Sequence, residues 1–397
     1  MNLRDEALAL HREGPGKITV QSITPVRDKH QLSLAYTPGV AEPCREIEKN
    51  PELAYEYTAK GNMVAVVTDG SAVLGLGNIG PLAAMPVMEG KAVLFRDFAG
   101  VDAFPICLAT QDPEEIIAAV RAIAPSFGGI NLEDISAPRC FEIEQRLDAE
   151  LEIPVFHDDQ HGTAVVTLAG LLGAMRIVEK KLSEVKIVIN GSGAAGTAIS
   201  KLLLDAGAKR ILVCDRNGVI KKESKDAAKA RLASLTNPEQ EQGTLHQVLR
   251  GADVFIGVSQ PNQLGRDQVR IMATDPVVFA LANPEPEIWP QEAAKGGAKV
   301  IATGRSDFPN QVNNVLGFPG IFKGALSVRA TTINQQMKMA AAEAIASLIT
   351  EDDLARGTVI PDPFLAKVPQ IVAQKVAEAA VRSGVAKASG EVSCGCM

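Results

Sequence analysis

Lys186-Ile187-Val188-Ile189-Asn190 runs straight into Gly191-Ser192-Gly193-Ala194-Ala195-Gly196, an apolar stretch followed by glycines at the first, third and sixth positions of a turn. The run before the turn reads as a buried strand, and Gly196 to Asp205 reads as the helix that leaves it. Each glycine has a separate use in a nucleotide-binding turn. Gly191 allows the tight bend, Gly193 lets the backbone approach a pyrophosphate, and Gly196 lets helix and strand pack closely. A glycine pattern alone is weak, because such turns also serve structure. Here Arg210 to Asp215 supplies the next strand with an acid at its end. Ser192, Ala194 and Ala195 complete the loop, so 191–196 and Asp215 are the expected dinucleotide-binding residues.

Asp215 can accept from adenosine ribose hydroxyls, which leans the cofactor toward NAD. An NADP phosphate would meet that carboxylate unless a cation offset it, and Arg216, Lys221 and Lys222 follow closely enough to do so. Both NAD and NADP stay open.

Outward from this centre, Val254 to Val258, Val277 to Ala280 and Lys299 to Ala302 read as further strands joined through helices, which favours an open parallel sheet. Ala164 to Val178 reads as a largely buried helix joining two domains, and the last helix is expected from Pro369 to Arg382. Upstream, Met63 to Val67 and Lys91 to Phe95 read as strands, and Glu114 to Ala124 as a helix. Gly128 to Asp134 reads as a strand edge. The fold class is α/β: a mixed α/β domain over 1–163, then a Rossmann-like parallel-sheet domain over 164–397 ending in helices and a short polar tail.

At 397 residues and 46% hydrophobic content, there is material for two cores. The net charge of −7 argues against a general nucleic-acid surface. No apolar run is long enough to span a bilayer, and the N-terminus does not open like a secretory signal, so a cytoplasmic, non-membrane protein is expected. Cys44, Cys107, Cys140 and Cys214 read as buried free thiols, and Cys394 and Cys396 fall in the polar tail.

Two acidic pairs, Glu133-Asp134 and Asp158-Asp159, stand at the ends of expected strands. Converging carboxylates suit a hard Mg or Mn ion, although such pairs also cap helices. Tyr36-Thr37-Pro38-Gly39 is a turn that can present a phenol to a cleft or simply reverse the chain.

Taken in order, Tyr36-Thr37-Pro38-Gly39, Glu89-Gly90-Lys91, Glu133-Asp134, Phe156-His157-Asp158-Asp159-Gln160-His161-Gly162-Thr163 and the glycine turn resemble the short bacterial and archaeal malic enzymes across nearly the whole chain. The resemblance implies a malate and metal domain joined to a Rossmann-like domain, commonly in homodimers. It implies that Glu133, Asp134 and Asp159 bind a divalent ion, Lys91 is the base and Tyr36 the proton donor. It also points to Asn283 beside nicotinamide and malate, and to Asn314 beside malate. His157 and His161 are then supporting hydrogen-bonding groups, not ligands. The implied reaction takes L-malate to pyruvate and CO2 with reduction of NAD or NADP, and extends to decarboxylation of oxaloacetate. Lys91 would need burial or a nearby cation to become neutral.

Larger relatives carry a substrate-binding Arg after the Asp-Gly that corresponds to Asp69-Gly70, where this sequence has Ser71-Ala72, so malate carboxylates must find backbone amides or another cation. The sequence also stops without the acetyltransferase-like extension of a longer bacterial class. The competing readings are a metal-dependent 2-hydroxyacid dehydrogenase that does not decarboxylate, and a nucleotide-sensing structural protein without chemistry.

Overall fold

The computed structural model describes residues 3–14, 16–73 and 75–388. Cys394 and Cys396 lie outside them.

Among the described residues, ten strands form two sheets. The first contains β1 (Met63–Thr68), β2 (Asp102–Cys107), β3 (Gly129–Leu132) and β4 (Val155–His157), all parallel in the order β2-β1-β3-β4. The second contains β5 (Lys186–Asn190), β6 (Arg210–Asp215), β7 (Gly218–Val219), β8 (Val254–Gly257), β9 (Val277–Ala280) and β10 (Val300–Thr303), in the order β10-β9-β8-β5-β6-β7. Only the short β7 is antiparallel to its neighbour. Every residue of β5, β8 and β9 is buried, as continuous β-branched and aromatic runs require in a parallel sheet covered on both faces. The order reverses direction between β5 and β8, and the crevice at such a switch point is where α/β sheets take their ligands.

The expected elements of the second sheet are present to within a residue or two. One upstream expectation is overturned. Lys91 to Phe95 is no strand but part of the helix Pro81–Ala99. Pro81 sits in its first turn, and Gly100 ends it in the left-handed region at φ 65°. Its buried residues, Ala84, Met88, Ala92 and Phe95, recur at helical spacing. Pro86 and Gly90 inside the helix hide that period, and a short apolar run cannot by itself be told from a strand.

The joining helix starts earlier than expected, spanning Asp158–Ile177, so the expected division at 163/164 falls inside it. Its two leading carboxylates, Asp158 and Asp159, sit at the positive end of the helix dipole. The largest core is shared between the sheets: Val64, Val66 and Phe95 pack in one cluster with Val165, Ile189, Phe318, Phe322 and Val376. The helix Phe318–Ser327 carries this contact, with Phe318 meeting Phe95 edge-on at 4.7 Å between centroids. Cys140 and Cys214 are buried as expected and Cys107 is half-buried, but Cys44 is exposed because the helix Ala41–Lys49 that carries it buries no residue. Among the described residues no helix is long and apolar enough to cross a membrane.

Candidate active site

Parallel pairing brings the ends of β3 and β4 side by side, so the residues that follow them meet. Ligand oxygens of Glu133, Asp134 and Asp159 lie within 4.8 Å of one another. Asp134 adopts φ 55°, and its backbone N–H donates to Asp159 Oδ2 at 2.8 Å, which draws the two acidic segments together. Asn131 Nδ2 donates to Glu133 Oε2 at 2.9 Å. Burial pushes the Glu133 carboxyl well above its ordinary value, and Asp159, Asp158 and Asp134 add to this against the opposing pull of Lys91. Such a crowd of buried carboxylates is relieved by a cation, and its all-oxygen donor set fits Mg or Mn.

Lys91 projects from the helix Pro81–Ala99 into this cluster. Its ammonium lies 2.6 Å from Asp158 Oδ2 and 2.9 Å from Glu133 Oε1, and 4.2 Å from the centre of the Phe318 ring. Burial works against its charge, but Asp158 and Glu133 outweigh burial and raise its pKa above the ordinary lysine range. The expected neutral lysine is therefore not what these residues alone produce. Its neighbours are anions, and a cation beside it has to come from outside the chain.

Asn314 joins the same carboxylate, with Nδ2 donating to Asp158 Oδ2 at 3.0 Å, and its Oδ1 accepts from Thr163 Oγ1 at 3.2 Å. Asp158 is thus the hub, although the sequence pattern marked it only as one of two acidic pairs. The signal for it was Gly162. A Cβ there would stand 1.8 Å from Asp158 Oδ1, so the helix must have glycine where the carboxylate folds back. Behind the cluster, Glu144 accepts from the His157 backbone N–H at 2.9 Å, from Gln160 Nε2 at 3.1 Å and from the His161 ring at 2.9 Å. Despite burial, His161, Lys338 and His157 hold its carboxyl down at about 2. His161 is a hydrogen-bonding support. His157 is fully buried, its Nδ1 3.8 Å from Asp159 Oδ2.

Tyr36 does not join this network. It ends the helix Lys29–Ala35 with 67% of its surface exposed. Asp69, before Ser71 and Ala72, is held by Arg139 at 2.8 Å.

At the second sheet, Gly191 has φ 133°, and a Cβ on Gly196 would stand 1.8 Å from the Gly191 carbonyl oxygen, so helix and turn need both glycines. Gly193 is different: a Cβ there would meet nothing within 4 Å. The chain's own packing does not require that glycine, whereas a pyrophosphate lying on the loop would. Asp215 follows on β6, accepting from Asn217 N at 2.8 Å and from Lys229 Nζ at 2.6 Å. Lys229 lies fourteen residues beyond Asp215 on the helix Ala227–Thr236, outside the cluster of cations that the sequence singled out. Asn283 follows β9, and its carbonyl lies 3.1 Å from where a Gly75 Cβ would stand. The glycine-rich loop of the first half therefore meets the Asn283-Pro284 turn of the second.

The malic enzyme NAD binding domain matches residues 160–381, and the malic enzyme N-terminal domain matches 15–115 and 109–148. This chain belongs to the malic enzyme family. A NAD-dependent malic enzyme of Geobacillus stearothermophilus is 59% identical, over 98% of this chain and 81% of its own length. A bifunctional malic/malolactic enzyme of Bacillus subtilis is 57% identical, over 98% of this chain and 95% of its own. The crystal structure of malic enzyme from Pyrococcus horikoshii superposes with a TM-score of 0.94 at 49% identity, covering 98% of this chain and 93% of that one. Family membership accounts for the order of the two halves, with the acidic cluster upstream of the nucleotide turn.

Proposed function

We propose that the chain oxidises L-malate at C2, passing hydride to NAD or NADP, and releases the carboxyl group β to the new ketone as CO2, leaving pyruvate. The observation that carries this reading is Lys91, whose ammonium bridges Glu133 of the acidic triad and Asp158. A base placed against a triad suited to a divalent ion fits removal of a hydroxyl proton where a C2 oxygen is polarised. Glu133, Asp134 and Asp159 would hold Mg or Mn, which when bound would supply that Lewis acid and the electron sink for decarboxylation. Lys91 would take the hydroxyl proton once a divalent cation on the triad offsets Asp158 and Glu133, the anions that hold its own proton in place. Asn314 holds Asp158 in place, and its amide faces both the hub and Thr163. Tyr36 returns a proton to C3 of the enol, a role resting on the family resemblance. Oxaloacetate supplied directly enters at the decarboxylation step.

On the nucleotide side, 191–196 hold the pyrophosphate and Asn283 lies toward the nicotinamide. Asp215 favours the ribose hydroxyls of NAD, and Lys229 beside it offers the cation that an NADP phosphate needs, so the cofactor is NAD or NADP with a lean to NAD. The protein is read as a homodimer, because Leu3, Val20, Ile23, Leu34 and Tyr36 leave the N-terminal flank exposed and apolar. Free thiols at Cys107, Cys140 and Cys214 fit a reducing cytoplasm.

The test follows NAD(P)H and CO2 together from L-malate with Mn. Equal yields, abolished by a chelator, are expected. Reduced cofactor without CO2 would reassign the chain to a simple dehydrogenase, and neither product would reject the reading.

A further inference from the structure

The helices Arg139–Glu150, Ala194–Asp205, Ala227–Thr236 and Gln335–Ala346 line an open cavity of about 400 Å³. Its lining includes none of Lys91, Glu133, Asp134, Asp158, Asp159 and Asn314, and no residue of 191–196 or Asp215. It opens on neither the acidic cluster nor the nucleotide turn, although Glu144, Gln160 and His161 behind the cluster form part of its wall. Its volume falls in the range of pockets that hold small molecules, roughly 300–1,000 Å³.

Three cations line it: Lys201, Arg231 and Lys338, against an apolar wall that includes Phe141, Leu232 and Ile333. Among the described residues, no hydrogen bond or ion pair holds any of the three side-chain charges. Lys201 and Arg231 are exposed, while Lys338 is partly buried, 5.9 Å from the centre of the Phe156 ring. Burial pushes the Lys338 pKa down, and the charge of Lys201 adds to that push against the pull of Glu144 and Asp148. The acids in the wall, Glu144 and Asp148, offset part of this charge and leave three cations against two carboxyl groups. Glu144 also accepts from His161, Gln160 and the His157 backbone, and burial pushes the Asp148 carboxyl up against the opposing effects of Thr332 and Lys338. Three cations that outnumber the acids beside an apolar wall repel one another, at a cost that an added anion relieves.

We propose that this cavity is a second ligand site, taking a small organic anion with two or more negative charges and an apolar portion, gripped by Lys338 within and by Lys201 and Arg231 at its edge. Carboxylate and phosphate groups share the chemistry that these cations recognise. The site needs no assumption about the reaction.

The test is calorimetric titration of the full chain saturated with NAD, in chelator, with citrate and separately with ADP. Saturable one-to-one binding of at least one is expected, weakened about tenfold or more in Lys338→Met and in the exposed double variant Lys201→Ala/Arg231→Ala. Citrate alone binding identifies a carboxylate site, ADP alone a phosphate site, and both a general polyanion site. Absence of binding at millimolar concentration overturns the proposal. So does affinity unchanged in the double variant, or displacement of the titrant by more NAD.

Discussion

Gly193→Ala separates what the cofactor needs from what the fold needs. The added methyl group would meet no atom within 4 Å, and the residue's φ of −85° and ψ of −154° are open to any L-amino acid. Gly193 is the N-cap of the helix Ala194–Asp205, where alanine is a poorer cap, so stability should fall by roughly 0.5–1 kcal/mol. For a domain of this size that is a drop in Tm of at most about 4 °C. On the nucleotide side the methyl group would stand between the loop backbone and a pyrophosphate bound there as proposed. Loss of hydrogen bonds to a charged group, roughly 1.5–3 kcal/mol, weakens NADH binding by about ten- to a hundredfold. Gly196→Ala is the contrast. Its Cβ would lie 1.8 Å from the Gly191 carbonyl, so turn and helix must part and both Tm and NADH affinity should fall. Fluorescence titration of NADH beside differential scanning calorimetry reads both quantities. NADH affinity within twofold of native in Gly193→Ala would refute the assignment of the loop, and a Tm loss as large as that of Gly196→Ala would show that the fold itself required the glycine.

Lys91→Met removes the cation between Asp158 and Glu133. Turnover of L-malate should fall by about a hundredfold or more while NADH binding holds, and near-native turnover would remove Lys91 from the chemistry. Lys229→Ala takes away the cation 2.6 Å from Asp215, so KM for NADP should rise about tenfold more than KM for NAD; an equal change in both would mean that Lys229 only shapes the loop. Burial, with Glu144 and Asp159 beside Cys140 and Asp215 beside Cys214, pushes both thiols up to about 12. At pH 8 iodoacetamide should therefore modify exposed Cys44 and spare Cys140 and Cys214 until the protein unfolds; peptide mapping that finds the latter two modified first contradicts their burial.

The nucleotide half was largely legible in the sequence because its information is local. A strand, three spaced glycines, a helix and an acid at the next strand end are all read along the chain, and β5 and β6 end where the pattern places them. The acidic half was legible as a set of residue types without a geometry. Glu133-Asp134 and Asp158-Asp159 are 25 residues apart, and only the parallel pairing of β3 with β4 makes them neighbours. Lys91 was placed on the wrong element because Pro86 and Gly90 interrupt the helical period, and tertiary burial of one stripe outweighed those weak helix formers. The hub role of Asp158 needed Asn314, 156 residues away, to be brought beside it. The protonation of Lys91, the pairing of Asp215 with Lys229 and the cationic cavity belong to tertiary structure alone. Each depends on charges from distant segments meeting where water is excluded, and the energy of such a meeting is set by distance and burial, which residue order does not encode.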